Sequence, residues 1–219
     1  MELFNTNQFD SIRAIFFDFD ETMYSSDNIL EYYVKFVKQT ILDLSNYDSL
    51  RADEIIKEYG FDQPSENRVS FGKTCEQFGI KEADWNAYKI DHFFEVDYGN
   101  AQIVDNSLYQ RIAEKMPIFI VSNEIYENVL YKADKLGIDL SSFSAILAPR
   151  KANPIMISKK DEIQKTLDEL GIEYKDALVI GDRFKVDVKP MLDLGGCGVQ
   201  VKNVKEVEDV LKNIIENSN

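Results

Sequence analysis

The eleven residues from Ile12 to Thr22, IRAIFFDFDET, restrict the fold more than any other stretch of the chain. Five of the six positions from Ile12 to Phe17 are apolar, and polarity begins abruptly at Asp18. An apolar run without polar alternation is how a strand covered on both faces reads, as in a parallel sheet flanked by helices. Such sheets bind their ligands just outside the carboxyl ends of the strands, so Asp18 and Asp20 fall where chemistry is done. Standing at i and i+2, the two carboxylates leave the strand on the same side, close enough to share a cation and to feel each other's charge. Thr22 completes the pattern D-x-D-x-T.

The rest of the chain supports a sheet of that kind. After about Ala101, strand and helix alternate with short connections. NSLYQRIAEK reads as a helix and PIFIVSNE as a second buried strand, opened by Pro117. A helix from Glu124 to Leu136 stops at Gly137, and FSAILAP is a third strand. Ser158 caps a helix that runs to Leu170 and stops at Gly171; ALVIGD and CGVQV are further strands, and NVKEVEDVLKNIIE closes the chain as a helix. This order predicts an α/β fold, a doubly wound parallel sheet with right-handed crossovers. Residues 25–100 break the alternation. Asp27 is placed to cap a helix through ILEYYVKFVKQTILDL, whose Phe36, Val37 and Ile41 lie on one apolar stripe, and KEADWNAYKIDHFFEV brings Trp85, Tyr88, Phe93 and Phe94. The expected organisation is a core of residues 1–24 and 101–219 with a helical cap subdomain of residues 25–100 inserted after the first strand.

Composition removes whole classes of function. A net charge of -14 argues against binding a nucleic acid polymer, which needs clustered Lys and Arg. A small phosphorylated ligand stays compatible with it, because a divalent cation and a few local cations reverse the field inside a cleft. His92 is the only histidine, which disfavours Ser-His-Asp catalysis and a zinc site. No run reaches the ~18 apolar residues of a membrane span. The N-terminus MELFNTNQFD is too polar for a signal peptide, so a cytoplasmic protein is expected, with Cys75 and Cys197 as buried thiols.

Three further segments follow the first in order, each at a predicted strand end. Ser122 and Asn123 end IFIVSN, where a hydroxyl and the N–H groups of an incipient helix suit phosphate oxygens. Lys151, in the loop RKANPIMIS, is a candidate point charge for a phosphoryl group. In ALVIGDRFKVD, Gly181 allows close backbone approach, and Asp182 with Asp187 completes an oxygen-rich site suited to magnesium.

The four segments together resemble the haloacid dehalogenase superfamily of phosphotransferases. FFDFDET looks like its first motif, VSN its second, the lysine of KANP its third and GDRFKVD its fourth, while the helical insertion is similar to the family's C1 cap. The resemblance implies Asp18 as nucleophile, forming an aspartyl-phosphate. It implies Asp20 as general acid and base, held in position by Thr22. Ser122, Asn123 and Lys151 would bind the transferring phosphoryl group. Mg2+ would be held by Asp18, the main-chain carbonyl of Asp20 and Asp182, with Asp187 either reaching the metal through water or orienting Lys151. Relatives acting on haloacids lack the second aspartate, so Asp20 favours a phosphatase acting on a small phosphorylated metabolite. ETMYSSDNI is similar to the matching stretch of pyrimidine 5'-nucleotidase-like members, which makes nucleoside monophosphates the first class to try. A phosphomutase or phosphotransferase keeps the same motifs, and a non-catalytic phosphometabolite-binding protein is the rival from another class.

Overall fold

The computed structural model describes residues 1–5, 9–26, 28–64, 67–92, 98–153 and 157–217. Asp27, Phe93 and Phe94 lie outside the described residues. Eight strands and nine α-helices follow one another among the described residues. The first part of the chain carries β1 (Glu2–Phe4), β2 (Ala14–Phe17), β3 (Tyr24–Ser25), α1 (Ile29–Leu44), α2 (Ser49–Glu58), α3 (Phe71–Thr74) and α4 (Glu82–Asp91). Next come β4 (Gln102–Ile103), α5 (Asn106–Ala113), β5 (Ile118–Val121), α6 (Tyr126–Leu136), β6 (Ala145–Leu147) and α7 (Lys159–Leu170). The chain ends with β7 (Ala177–Gly181), α8 (Lys189–Leu192), β8 (Cys197–Gln200) and α9 (Val204–Asn217).

Six strands form one sheet in the order β1-β8-β7-β2-β5-β6, parallel except for β1, which runs antiparallel to β8. The five strands read from the sequence are all present. The antiparallel edge is an addition: Glu2, Leu3 and Phe4 pair with Gln200, Val199 and Gly198, and the Phe4 ring meets Phe184 at 5.0 Å. A separate two-stranded ribbon joins β3 to β4, with Tyr24 opposite Ile103.

The central strand shows why the opening run is apolar throughout. Ala14, Ile15, Phe16 and Phe17 are all fully buried. Ala14 and Phe16 pack with Phe119, Ile163, Leu167, Val179 and Met191, while Phe17 meets Tyr109 and Phe143 edge-on at 5.3 and 5.9 Å. Strands have period two, so these are opposite faces of one strand, both covered. In register, β2 pairs with β5 on one side, Phe17 opposite Ile120, and with β7 on the other, Phe17 opposite Ile180. The chain leaves β2 toward β5 and returns on its other side as β7, so the sheet order reverses at β2. That reversal opens the crevice at which doubly wound sheets bind ligands.

The chain divides into two compact units. The first comprises Met1–Ser25, Ala101–Arg150 and Met156–Asn219 and holds both sheets; the second comprises Ser26–Asn100 and Lys151–Ile155. The second unit is helical in its described residues. Phe36, Ile41, Ile55, Phe61, Phe71, Phe78, Trp85 and Tyr88 form its core, with Thr40 buried among them by donating to the Phe36 carbonyl at 2.8 Å. His92 stacks on Tyr88 at 4.0 Å, a packing role. Cys75 and Cys197 are both buried thiols outside any disulfide. No described helix is long and apolar enough to cross a membrane.

Candidate active site

The site grows out of the ends of β2, β5 and β7. The backbone N–H of Asp18 still donates to the Ile180 carbonyl at 2.9 Å, so Asp18 is the last residue held by the sheet. The chain then turns sharply. The Met23 N–H donates to the Phe19 carbonyl at 3.1 Å, and Glu21 takes a left-handed φ of 60°, a conformation costing roughly 1–2 kcal/mol outside glycine. The turn keeps Asp20 beside the sheet end. On the neighbouring strand Ser122 lies two residues beyond Ile120, the partner of Phe17, and is 2% exposed. Its N–H donates to Leu147 and its Oγ accepts from the Glu124 N–H at 3.0 Å.

After β7 come Asp182 and, within the wide π-type turn Phe184–Val188, Asp187. Gly181 is glycine for a packing reason: a Cβ there would overlap the Asp187 side chain and lie 3.0 Å from its Cγ. Carboxylate oxygens of Asp18, Asp182 and Asp187 all lie within 4.8 Å of one another, and all three residues are buried. Repulsion among three desolvated carboxylates has to be offset, and a lysine does part of it. Lys159 Nζ donates to Asp18 Oδ1 at 2.5 Å and to Asp187 Oδ1 at 2.7 Å, with its side chain only 3% exposed. Arg183 adds a second cation, its Nε 3.9 Å from Asp187 and 4.0 Å from Asp182, and its N–H donates to Asp187 Oδ2 at 2.9 Å.

The acidities follow from this arrangement. Burial, then repulsion from Asp187, pushes Asp18 up to about 6, although Lys159 and Arg183 pull the other way. Burial also disfavours the Asp187 charge, but Lys159 and Arg183 outweigh it and hold that carboxyl below its ordinary value. The Lys159 ammonium is likewise penalised by burial, yet Asp18 and Asp187 keep its pKa above that of a free lysine. With Asp18 ionised, the three carboxylates of Asp18, Asp182 and Asp187 face two cations, Lys159 and Arg183, and one negative charge is left over. A divalent cation fits that excess. The donor set is all oxygen and all carboxylate, which suits a hard ion such as magnesium.

The ammonium on Asp18 is that of Lys159, a residue the sequence reading did not single out, while Lys151 is exposed in the turn after β6. One expectation is corrected. Thr22 does not hold Asp20. Its hydroxyl is buried with no hydrogen-bond partner among the described residues. Asp20 Oδ1 instead accepts from the Tyr24 hydroxyl at 2.6 Å and from Lys132 Nζ at 2.7 Å. The tyrosine that follows the first motif is therefore spent on Asp20. Asn123 has a buried Oδ1 without a partner among the described residues, a spare acceptor beside Ser122.

Comparison with known proteins agrees with the geometry. No curated protein matches the chain in sequence. Among solved structures, one of a haloacid dehalogenase (HAD) phosphatase from Thermococcus onnurineus matches with a TM-score of 0.56 at 15% identity, covering 92% of this chain and 99% of that one. A protein from Haemophilus somnus 129pt, described as a predicted phosphoglycolate phosphatase, matches with a TM-score of 0.57 at 16% identity over 92% and 97% of the two chains. A haloacid dehalogenase-like family hydrolase from Streptococcus pneumoniae gives 0.51 at 20% identity over 92% and 91%. At these identities the likeness is one of fold. The sequence also fits the model of the haloacid dehalogenase-like hydrolases over residues 12–195, a span that starts ahead of β2 and includes all four sheet-end segments. By that match, most of its length long, the chain belongs to the haloacid dehalogenase-like hydrolase family.

Proposed function

We propose that the chain is a magnesium-dependent phosphatase that hydrolyses a small phosphorylated metabolite through an aspartyl-phosphate on Asp18. The observation that carries this reading is the contrast between its first two aspartates. Asp18 is 3% exposed, lies against Lys159 and shares a buried cluster with Asp182 and Asp187. Asp20 keeps 34% of its side chain open to water. A nucleophile benefits from a dry, cation-lined position, and a proton carrier must exchange with solvent.

In the first displacement an Asp18 carboxylate oxygen bonds to phosphorus, the bond from phosphorus to the alcohol oxygen breaks, and Asp20 delivers the proton that alcohol needs. In the second, Asp20 takes a proton from water, the water oxygen bonds to phosphorus, and the bond to Asp18 breaks. The Lys159 ammonium, the Ser122 hydroxyl and N–H groups of Asn123 donate to phosphoryl oxygens, where positioned charge matters more than covalent chemistry. Asp18, Asp182, the Asp20 carbonyl and Asp187, directly or through water, would hold Mg2+, which would neutralise phosphoryl charge. Asp187 has a second duty, the grip on Lys159. Residues 1–24 and 101–219 serve as the catalytic core and residues 25–100 as the helical subdomain. A cytoplasmic setting and a small-molecule partner belong to the same reading.

The test is a panel of phosphomonoesters assayed for phosphate release with and without magnesium. It includes nucleoside monophosphates, phosphoglycolate and p-nitrophenyl phosphate. Release that needs the metal and disappears in Asp18→Asn is expected. Inertness toward every ester, or equal release in EDTA, refutes the proposal.

A further inference from the structure

Asp20 is held by two donors that reach it from different elements. Tyr24, four residues downstream, donates its hydroxyl to Oδ1 at 2.6 Å. Lys132, from α6, donates to the same oxygen at 2.7 Å and to Glu124 Oε2 at 3.1 Å. Glu124 is fixed in turn, for its Oε1 accepts from the Ile125 N–H at 2.8 Å and from Asn128 Nδ2 at 3.2 Å. The side chains of Lys132 and Glu124 are 6% and 16% exposed, against 34% for Asp20. A largely buried arm therefore runs from Lys132 in the second turn of α6, braced by Glu124 just ahead of that helix, to a carboxylate that faces water.

Stability alone does not call for such an arm. Burying an ammonium costs more than burying a methionine of similar length, and buried ion pairs can be replaced by apolar side chains without loss of stability. The arrangement does accomplish something that packing would not: both donors fall on Oδ1, which leaves Oδ2 as the oxygen for proton exchange. We infer that Lys132, braced by Glu124, is a positioning residue which, with Tyr24, pins Oδ1 of Asp20 and presents Oδ2 to the oxygen of the departing alcohol. The inference rests on Asp20 being the general acid and base of the proposed reaction.

Leaving-group dependence tests it, because kcat/KM reports the first displacement alone. A nitrophenolate departs without a proton, whereas an alkoxide needs one. In Lys132→Met, kcat/KM for the best alkyl phosphomonoester of the panel is expected to fall roughly 100-fold, the scale of an ångström-sized misplacement, while p-nitrophenyl phosphate loses far less. Lys132→Arg should restore part of the alkyl-ester rate. Because Lys132→Met strips Glu124 of its cation, the double variant Lys132→Met/Glu124→Gln carries the same expectation with no bare carboxylate left behind. A crystal structure of metal-free Lys132→Met is expected to show the Asp20 carboxylate displaced. Equal losses on both ester types, no loss on the alkyl ester, or an unmoved Asp20 overturns the inference. A wild-type protein inert toward every ester refutes the phosphatase reading instead, so the two failures are distinct.

Discussion

Replacing Asp18 by Asn should abolish turnover and make the metal-free protein more stable, and the gain in stability should depend on pH. Asp18 binds its proton more tightly in the folded chain, at about 6, than at the ordinary 3.8, because of burial first and Asp187 second. A raised folded-state pKa contributes stability that is fully present below about pH 4 and is lost as pH rises through about 6. The shift is about two pH units, and each is worth ~1.36 kcal/mol, so ionised Asp18 costs the fold about 3 kcal/mol above pH 7. Asparagine has the same shape, still offers Oδ1 to Lys159, and carries no charge. At about 2–4 °C per kcal/mol for a chain of this size, Asp18→Asn should melt roughly 6–12 °C above wild type at pH 8 in EDTA. Near pH 4 the two should differ little. Saturating magnesium should narrow or reverse the gap, since it stabilises only a chain that retains its carboxylate ligand. Melting both proteins by circular dichroism at several pH values, with EDTA and with magnesium, measures all of this. A gap that stays constant from pH 4 to pH 8, or a variant less stable at pH 8 in EDTA, would show that Asp18 is not a strained buried anion.

Three further outcomes are expected. Lys159→Met leaves Asp18 and Asp187 facing each other without their ammonium, and removing one partner of a buried ionic cluster typically costs 3–5 kcal/mol, so both activity and the denaturation midpoint should drop sharply. Lys151→Ala removes an exposed side chain and should change stability by less than about 0.5 kcal/mol, with phosphate release retained; loss of activity there would return the phosphoryl contact to Lys151. Gly181→Ala drives a methyl into Asp187 and should weaken magnesium affinity as measured by calorimetry, and unchanged affinity would mean that Asp187 yields freely.

The parts of this protein that the sequence reveals are those with one physical solution. A fully apolar run ending in paired carboxylates has to be a central strand with its acids at the ligand end, and β2 is that strand. The edge strand β1 stays hidden because its three residues, two of them exposed, carry neither alternation nor an apolar run. The lysine at Asp18 is obscured for a different reason. Lys151 lies in a loop after a strand, where a phosphate-binding cation is expected, whereas Lys159 opens a helix whose first turn, KKDE, reads as solvated. Yet two lysines at a helix N-terminus oppose the macrodipole, so one of them needed a partner elsewhere. Lys132 left a similar trace. On α6 the buried positions are Asn128, Val129, Lys132 and Ala133, a stripe of helical spacing with an ammonium in its middle. A lysine on the inward face of a helix has to be neutralised by an anion brought from another part of the chain. Such a lysine predicts that a carboxylate will be found there before any coordinates show which, and here the carboxylate is Asp20, the residue on which the proposed proton transfers depend.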